Sequence, residues 1–374
     1  MDVEQDLLRA IWQVTLLLAL AAGVVFLVLV VWRAISSLRA QKRLRRRQEL
    51  DKILQSVLHS PVPLGATALP ALRRGDFPIV LDLALEMIRM VRGSYVDEIV
   101  SLVSDLGLYP YLQTVLRRSK GRSRRKALIM LGYFPPSQSR ALLLAHVDDA
   151  DPYVQLTALR GLARHPDASV NAEALRALGA TLHTNSLMLA DVLHQFGERA
   201  LPELHALAAP VPRPQWRTNA TFHALRRERH RRKTYEHVRV AAITAIGNIG
   251  ALSSSAALLP LLHDENAHVR AAAVTALGRI GDPAIAWDLS ALLRDKEVEV
   301  RIQSAQALGL LQDESTLPAL VDALGDTAWW ARFHAACALA KFEDRGIAIL
   351  RAISREKDVK GDIAGQVLAE MAVL

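Results

Sequence analysis

The chain has 374 residues, 51% hydrophobic, 5% aromatic and 22% charged, with one cysteine and a formal net charge of +8. Such apolar content excludes a disordered chain, a lone cysteine excludes an internal disulfide framework, and few aromatics call for a core of Ala, Leu and Val. Two clusters, residues 33–47 and Arg226 to Lys233, together exceed the net charge, so the remainder is slightly acidic in sum and is not the broadly basic surface that duplex nucleic acid requires.

Residues 1–10 form a short acidic start, and "IWQVTLLLALAAGVVFLVLVVW" follows from Ile11 to Trp32 with Gln13 and Thr15 as its only polar interruptions. A helix needs about 20 apolar residues to span a bilayer, and Trp12 and Trp32 stand at the ends, where indoles prefer the interface. A cleaved signal peptide fits poorly, because "MDVEQD" is not basic and Arg33 stands where a small-residue cleavage site would be. Residues 33–60 read as a basic juxtamembrane helix or linker. Arg33, Arg39, Lys42, Arg43, Arg45, Arg46 and Arg47 face Arg9 alone on the other side, which predicts a cytoplasmic C-terminal domain with these seven groups at the anionic headgroups. The expected location is the bacterial cytoplasmic membrane, single-pass. The lone Cys337 is compatible with the cytosol.

Residues 61–208 carry a faded helical pattern. "RRKALIMLGYF" and "YVQLTALRGLA" align 31 residues apart, Arg124 with Gln155, and "LMLADVLHQFGERALPEL" reads as another degenerate copy. Residues 209–234 interrupt it as a basic insertion. Its start, with Pro210, Pro212 and Pro214, is extended, and Thr218 to Lys233 has the composition of a basic helix.

From 235 to 374 the pattern becomes regular. In "HVRAAAVTALGRIGD" the residues Val269, Ala272, Ala273, Ala276, Leu277 and Ile280 recur at helical spacing, and Gly281-Asp282-Pro283 stops the helix before a second begins. Arg239, Arg270, Arg301 and Arg332 are 31 residues apart, as are Asp264, Asp295 and Asp326, and Gly247, Gly278 and Gly309. A fixed period of this size marks stacked hairpins, each too small to bury its own apolar face. The repeating Asp and Arg read as a structural ladder, broken at Gln155, since an active site occurs once.

These residues resemble the HEAT repeat, in the short bacterial form named for phycobilisome lyases, over four units from about Tyr235 to Lys357. The resemblance implies an all-α fold: an α-solenoid of roughly eight HEAT-like helical hairpins preceded by one transmembrane helix. The order of anchor, basic stretch, "LEMIRMVRGSYVDEIVSLVSDLGLYPYLQTVLRR" and repeats is similar to bacterial membrane HEAT proteins encoded beside family-2 glycosyltransferases. That implies an accessory role in exopolysaccharide synthesis or export.

Arg226, Arg227, Arg229, Arg231, Arg232 and Lys233, with Trp216, are candidates for docking an acidic partner or the membrane surface; the competing readings are a solvated loop and a nucleic-acid contact. Trp329 and Trp330 fall in columns held by Glu236 and His237, Ala267 and His268, and Val298 and Glu299. Trp330 therefore stands where the repeat meets water, either as an interface anchor or as a cap packed under the terminal turn. His223, His230 and His237 would share a helix face but lack Cys or carboxylate ligands at metal spacing, and a nucleophilic role for Cys337 would need an activating neighbour, for which His334 lies three residues away. No phosphate loop, HExxH, GxSxG or CxxC occurs. The sequence thus predicts a non-catalytic membrane-anchored scaffold that binds a protein partner and the bilayer, with no cofactor, no metal and no small-molecule substrate. A lyase-like HEAT enzyme and a nucleic-acid-binding solenoid are the alternatives.

Overall fold

The computed structural model describes residues 2–58, 72–165, 174–175, 185–210 and 222–373, and among these it holds helices and turns but no strand. Two compact units divide the chain, residues up to Leu112 and residues from Gln113.

The first unit contains α1 (Asp2–Leu58), α2 (Phe77–Met90), α3 (Ser94–Asp105) and the start of α4 (Leu108–Arg118). Helix α1 runs 57 residues without a break, about 85 Å at 1.5 Å per residue. It contains a stretch of mean hydropathy 2.1 that is long and apolar enough to cross a membrane, and none of that stretch is buried by the protein. Phe26, Leu27 and Trp32 are all more than 60% exposed, an apolar surface that water tolerates poorly. The other end of α1 behaves differently. Leu50 and Leu54 are buried, the Arg46 guanidinium donates to both Asp76 oxygens at 3.1 and 2.7 Å, and Arg47 reaches Glu86 at 2.6 Å. Two of the seven basic groups expected at the headgroups are therefore held in ion pairs with the body of this unit.

In the second unit, α5 (Gly121–Leu131) and α6 (Pro136–Leu144) form a hairpin, followed by α7 (Pro152–Ala163), α8 (Ser186–His194) and α9 (Leu201–Ala208). Then come α10 (Phe222–Ile249) with α11 (Ser255–Leu258), α12 (Ala267–Ile280) with α13 (Ala286–Ala291), and α14 (Val298–Leu311) with α15 (Leu317–Ala323). The series ends with α16 (Trp329–Ala340), α17 (Glu343–Ile353) and α18 (Val359–Val373). The long helices α10, α12, α14 and α16 pack one on the next in order, which makes this unit an α-solenoid.

Local chemistry sets the hairpin ends. The Asn266 side chain accepts from His268 N–H to start α12, Gly281 leaves it in the left-handed conformation at φ 76°, and Asp282 caps the following turn through Ala284 N–H. The glycine column marks where neighbouring helices touch. A methyl built on Gly247, Gly278 or Gly309 would lie 2.6 Å from the Ala276 Cα, 2.6 Å from the Ala307 Cβ and 2.9 Å from the Ala338 Cα. Glycine costs an isolated helix about 1 kcal/mol against alanine, but here it lets two backbones meet, and overpacking costs about as much or more.

Along one edge runs the ladder. Arg270 grips Asp295 through Nε and Nη2, both at 2.8 Å, while its Nη1 donates to the Asp264 and Glu265 carbonyls at 2.8 and 3.2 Å. Arg301 repeats this with Asp326 at 2.6 and 2.9 Å and with the Asp295 carbonyl at 2.9 Å. Arg239 pairs with Asp264 at 2.6 Å, and Arg124 with Asp149 at 2.5 Å. Each aspartate also caps its own turn: the second oxygen accepts from Asp151, Asn266, Glu297 or Ala328 N–H at 2.7–3.0 Å. One rung thus ties two inter-hairpin turns together and satisfies their backbone. Gln155 stands buried where α7 would supply a rung. The ladder ends at Arg332, whose Nη1 keeps the Asp326 carbonyl at 2.7 Å but whose buried Nε has no partner among the described residues; Lys357 occupies the next aspartate position by register.

The side chains of Arg270 and Asp295 are 6% and 8% exposed, so removing one strands the other. Asp295→Ala is expected to cost about 3 kcal/mol in denaturant melts, and Asp322→Ala, which breaks the exposed Arg294 pair, less than about 0.5 kcal/mol.

Burial alone would raise the Asp295 and Asp326 carboxyls, but hydrogen bonds from Arg270 and Arg301, turn N–H groups and the arginine charges together hold both below the usual carboxylate range. A depressed folded pKa gives stability that is present above the unfolded value and lost as pH falls through the folded one. The denaturation midpoint should therefore hold through neutral pH and fall steeply below about pH 4, with Asp295→Asn flattening that fall.

Candidate interaction face

The exposed row at the start of the long helices runs His237, His268, Glu299, Trp330. A turn further on, neutral polar groups bridge successive helices. Thr275 donates to Gln303 at 2.9 Å, Gln303 to Glu299 at 3.1 Å, and the Gln306 amide lies 3.2 Å from His334 Nδ1. The first and last of these cross between helices, whereas Gln303–Glu299 lies within α14 and holds Glu299 of the row.

Helix α16 breaks the polar row with an aromatic cluster. Trp329 stacks on Phe333 with ring centroids 5.1 Å apart, meets Trp330 edge to face at 4.7 Å, and Trp330 stacks on His334 at 6.1 Å. The rings fix one another, yet Trp329 stays 40% exposed and Trp330 58% exposed. Trp330 is not packed under the terminal turn. A rigid, half-exposed indole pair has large area and little conformational entropy left to lose on binding.

Burial lowers the His334 pKa, and burial pushes the Cys337 thiol up, away from the thiolate that nucleophilic chemistry uses. Among the described residues no group of His, Cys, Asp or Glu is arranged to hold a metal ion.

A groove of about 800 Å³ lies between α13 and α15. It is lined by Asp295, Arg301 and Asp326 of the ladder, where Arg301 pairs with Asp326 and Asp295 with Arg270, and by Trp287, 72% exposed. Trp287 is absent from the sequence-predicted set. Its signal was available, since Ala256 and Pro318 hold the same register position.

The other predicted residues fall elsewhere. Arg226, Arg227, Arg229, Arg231, Arg232 and Lys233 lie on the helical backbone of α10, continuous with the repeat helix, and Trp216 lies outside the described residues. Arg33, Arg39, Lys42, Arg43 and Arg45 follow the apolar stretch on α1.

Residues 224–287 and 285–369 match the family of HEAT repeats. No curated protein sequence matches the chain. Among solved structures, human deoxyhypusine hydroxylase is similar at 20% identity over 81% of this chain and 98% of its own, with a TM-score of 0.28. YibA of E. coli is 17% identical over 74% of this chain and 99% of its own, with a TM-score of 0.36. Kap95p, solved for its binding to RanGDP, is 12% identical over 82% of this chain with a TM-score of 0.42, and this chain spans about half of its length.

Because Trp330 rests on the surface of α16, Trp330→Ala should shift the unfolding free energy by less than about 1 kcal/mol in urea titration, against about 3 kcal/mol or more for emptying a buried aromatic site.

Proposed function

Taking the chain as a HEAT-repeat protein, we propose that it is a non-catalytic scaffold, anchored in a membrane by α1, whose solenoid binds a protein partner. The observation that carries this reading is the aromatic cluster on α16. The repeat is otherwise polar at that row, and the cluster departs from it with two half-exposed tryptophans held rigid by their neighbours. Indoles of this kind dominate protein interfaces because they bury much area at small entropic cost.

The anchor supports the same reading. Confining a scaffold to the plane of a membrane raises its encounter rate with other membrane-bound proteins without any new contact. The paired charges of the ladder support it from the other side, since they stabilise stacking and are already engaged with each other beneath the groove. Bacterial membrane HEAT proteins encoded beside glycosyltransferases make a membrane glycosyltransferase the first partner to test. On this reading the solenoid is cytoplasmic.

A photo-cross-linking residue placed at Trp330 of the full chain, in carbonate-washed membranes, tests the proposal. A discrete adduct is expected at Trp330 and not at His268 of the same row, with the attached protein identified by mass. Release of the chain by the carbonate wash, or the same adducts from both positions, would defeat the reading.

A further inference from the structure

We propose that residues 222–233 of α10 form a basic arm that lies on an anionic lipid surface. This rests on the reading of α1 as a membrane anchor and gives the scaffold a second, electrostatic lipid contact. The argument begins with where α10 starts. The corresponding helices begin at Ala267, Val298 and Trp329, and the 31-residue register places the equivalent start at Glu236. Helix α10 instead begins at Phe222 and runs unbroken to Ile249, so it is about 21 Å longer than its siblings.

The composition of that extension excludes a packing role. Phe222, Ala224 and Leu225 are confined to its first turn; from Arg226 to Lys233 the sequence "RRERHRRK" contains no apolar residue, so no face of those two turns can be buried in a core or inserted among acyl chains. Its electrostatics are unfavourable in isolation. Six basic groups surround the single acid Glu228, Arg227 and Arg231 as well as Arg229 and Lys233 stand at like-charge i,i+4 spacing, and the first turn carries no acid. An extended anionic surface relieves all of these at once. A single carboxylate would not.

The lipid is favoured over other polyanions because the same chain carries the apolar helix α1, which holds everything attached to it at high effective concentration beside headgroups. The remainder of the chain, the basic run Arg117 to Lys126 included, sums to a slightly acidic balance once the two clusters are set aside, against the continuous basic surface that a nucleic acid follows.

The test uses the full chain with Cys337→Ser and Leu225→Cys, labelled at position 225 with an environment-sensitive fluorophore and reconstituted into lipid nanodiscs. The discs hold phosphatidylcholine alone or mixed with phosphatidylglycerol, and neutral acrylamide is the quencher. Quenching should be about fivefold weaker in the anionic discs, and 1 M salt, where the Debye length is about 3 Å, should abolish the difference. Replacing Arg226, Arg227, Arg229, Arg231 and Arg232 by Ser should abolish it at low salt. Equal quenching in the two kinds of disc overturns the arm and leaves the anchor standing. Protection that arises only on adding an oligonucleotide or an acidic polypeptide also overturns it. Failure of the chain to enter the discs removes arm and anchor together.

Discussion

A two-helix hairpin of this length has one apolar face and nothing of its own to set against it. Everything else in the second unit follows from that deficit. The face must be covered by the next hairpin, and it is covered closely, because Gly247, Gly278 and Gly309 each meet an alanine of the following helix with no room for a side chain. Close approach converts small side chains into a dense core, which larger residues would fill at the cost of holding the helices apart. The low aromatic content and the abundance of Ala and Leu are consequences of this packing.

Close approach also creates a polar problem at the turns, where backbone groups leave the helices and are partly buried. The ladder answers it. An arginine such as Arg270 reaches back to the carbonyls of one turn and forward to the aspartate of the next, and that aspartate accepts from its own turn. Because the rungs Arg239–Asp264, Arg270–Asp295 and Arg301–Asp326 pair their charges, the desolvation of those ions is offset locally and the rise between hairpins is fixed. The same logic appears singly in the first unit, where Arg46 holds Asp76 and the Arg46 hydrogen bond is the main cause of that carboxyl's lowered pKa. In these rungs, charge serves to join turns.

In the scaffold proposed above, function belongs to departures from the repeat. A residue that recurs in each copy is explained by stacking. A residue that breaks its column, such as Trp330 after His237, His268 and Glu299, or Trp287 between Ala256 and Pro318, is not. Stacking places such departures on the surface of a rigid support, where a partner meets them already ordered. The two long helices α1 and α10 are departures of another kind, each extending past what its packing needs.

The sequence by itself determined the all-α class, the 31-residue register, the glycine column, the recurring Arg and Asp, and the apolar stretch of α1, because each is a pattern along the chain with a helical or repeat period. The period even contained the rung at Asp149, which lies the same distance after Arg124 as Asp295 lies after Arg270. Tertiary structure alone decided the rest. It showed that Arg46 and Arg47 are engaged by Asp76 and Glu86, that Arg332 ends the ladder without a carboxylate, that Trp330 stays exposed beside its stacked neighbours, and that the basic segment continues the helix of α10. These depend on which side chains converge from distant positions and on how much surface remains once they have. A period shows that two residues occupy equivalent places, but a residue without an equivalent acquires its role from its neighbours in space.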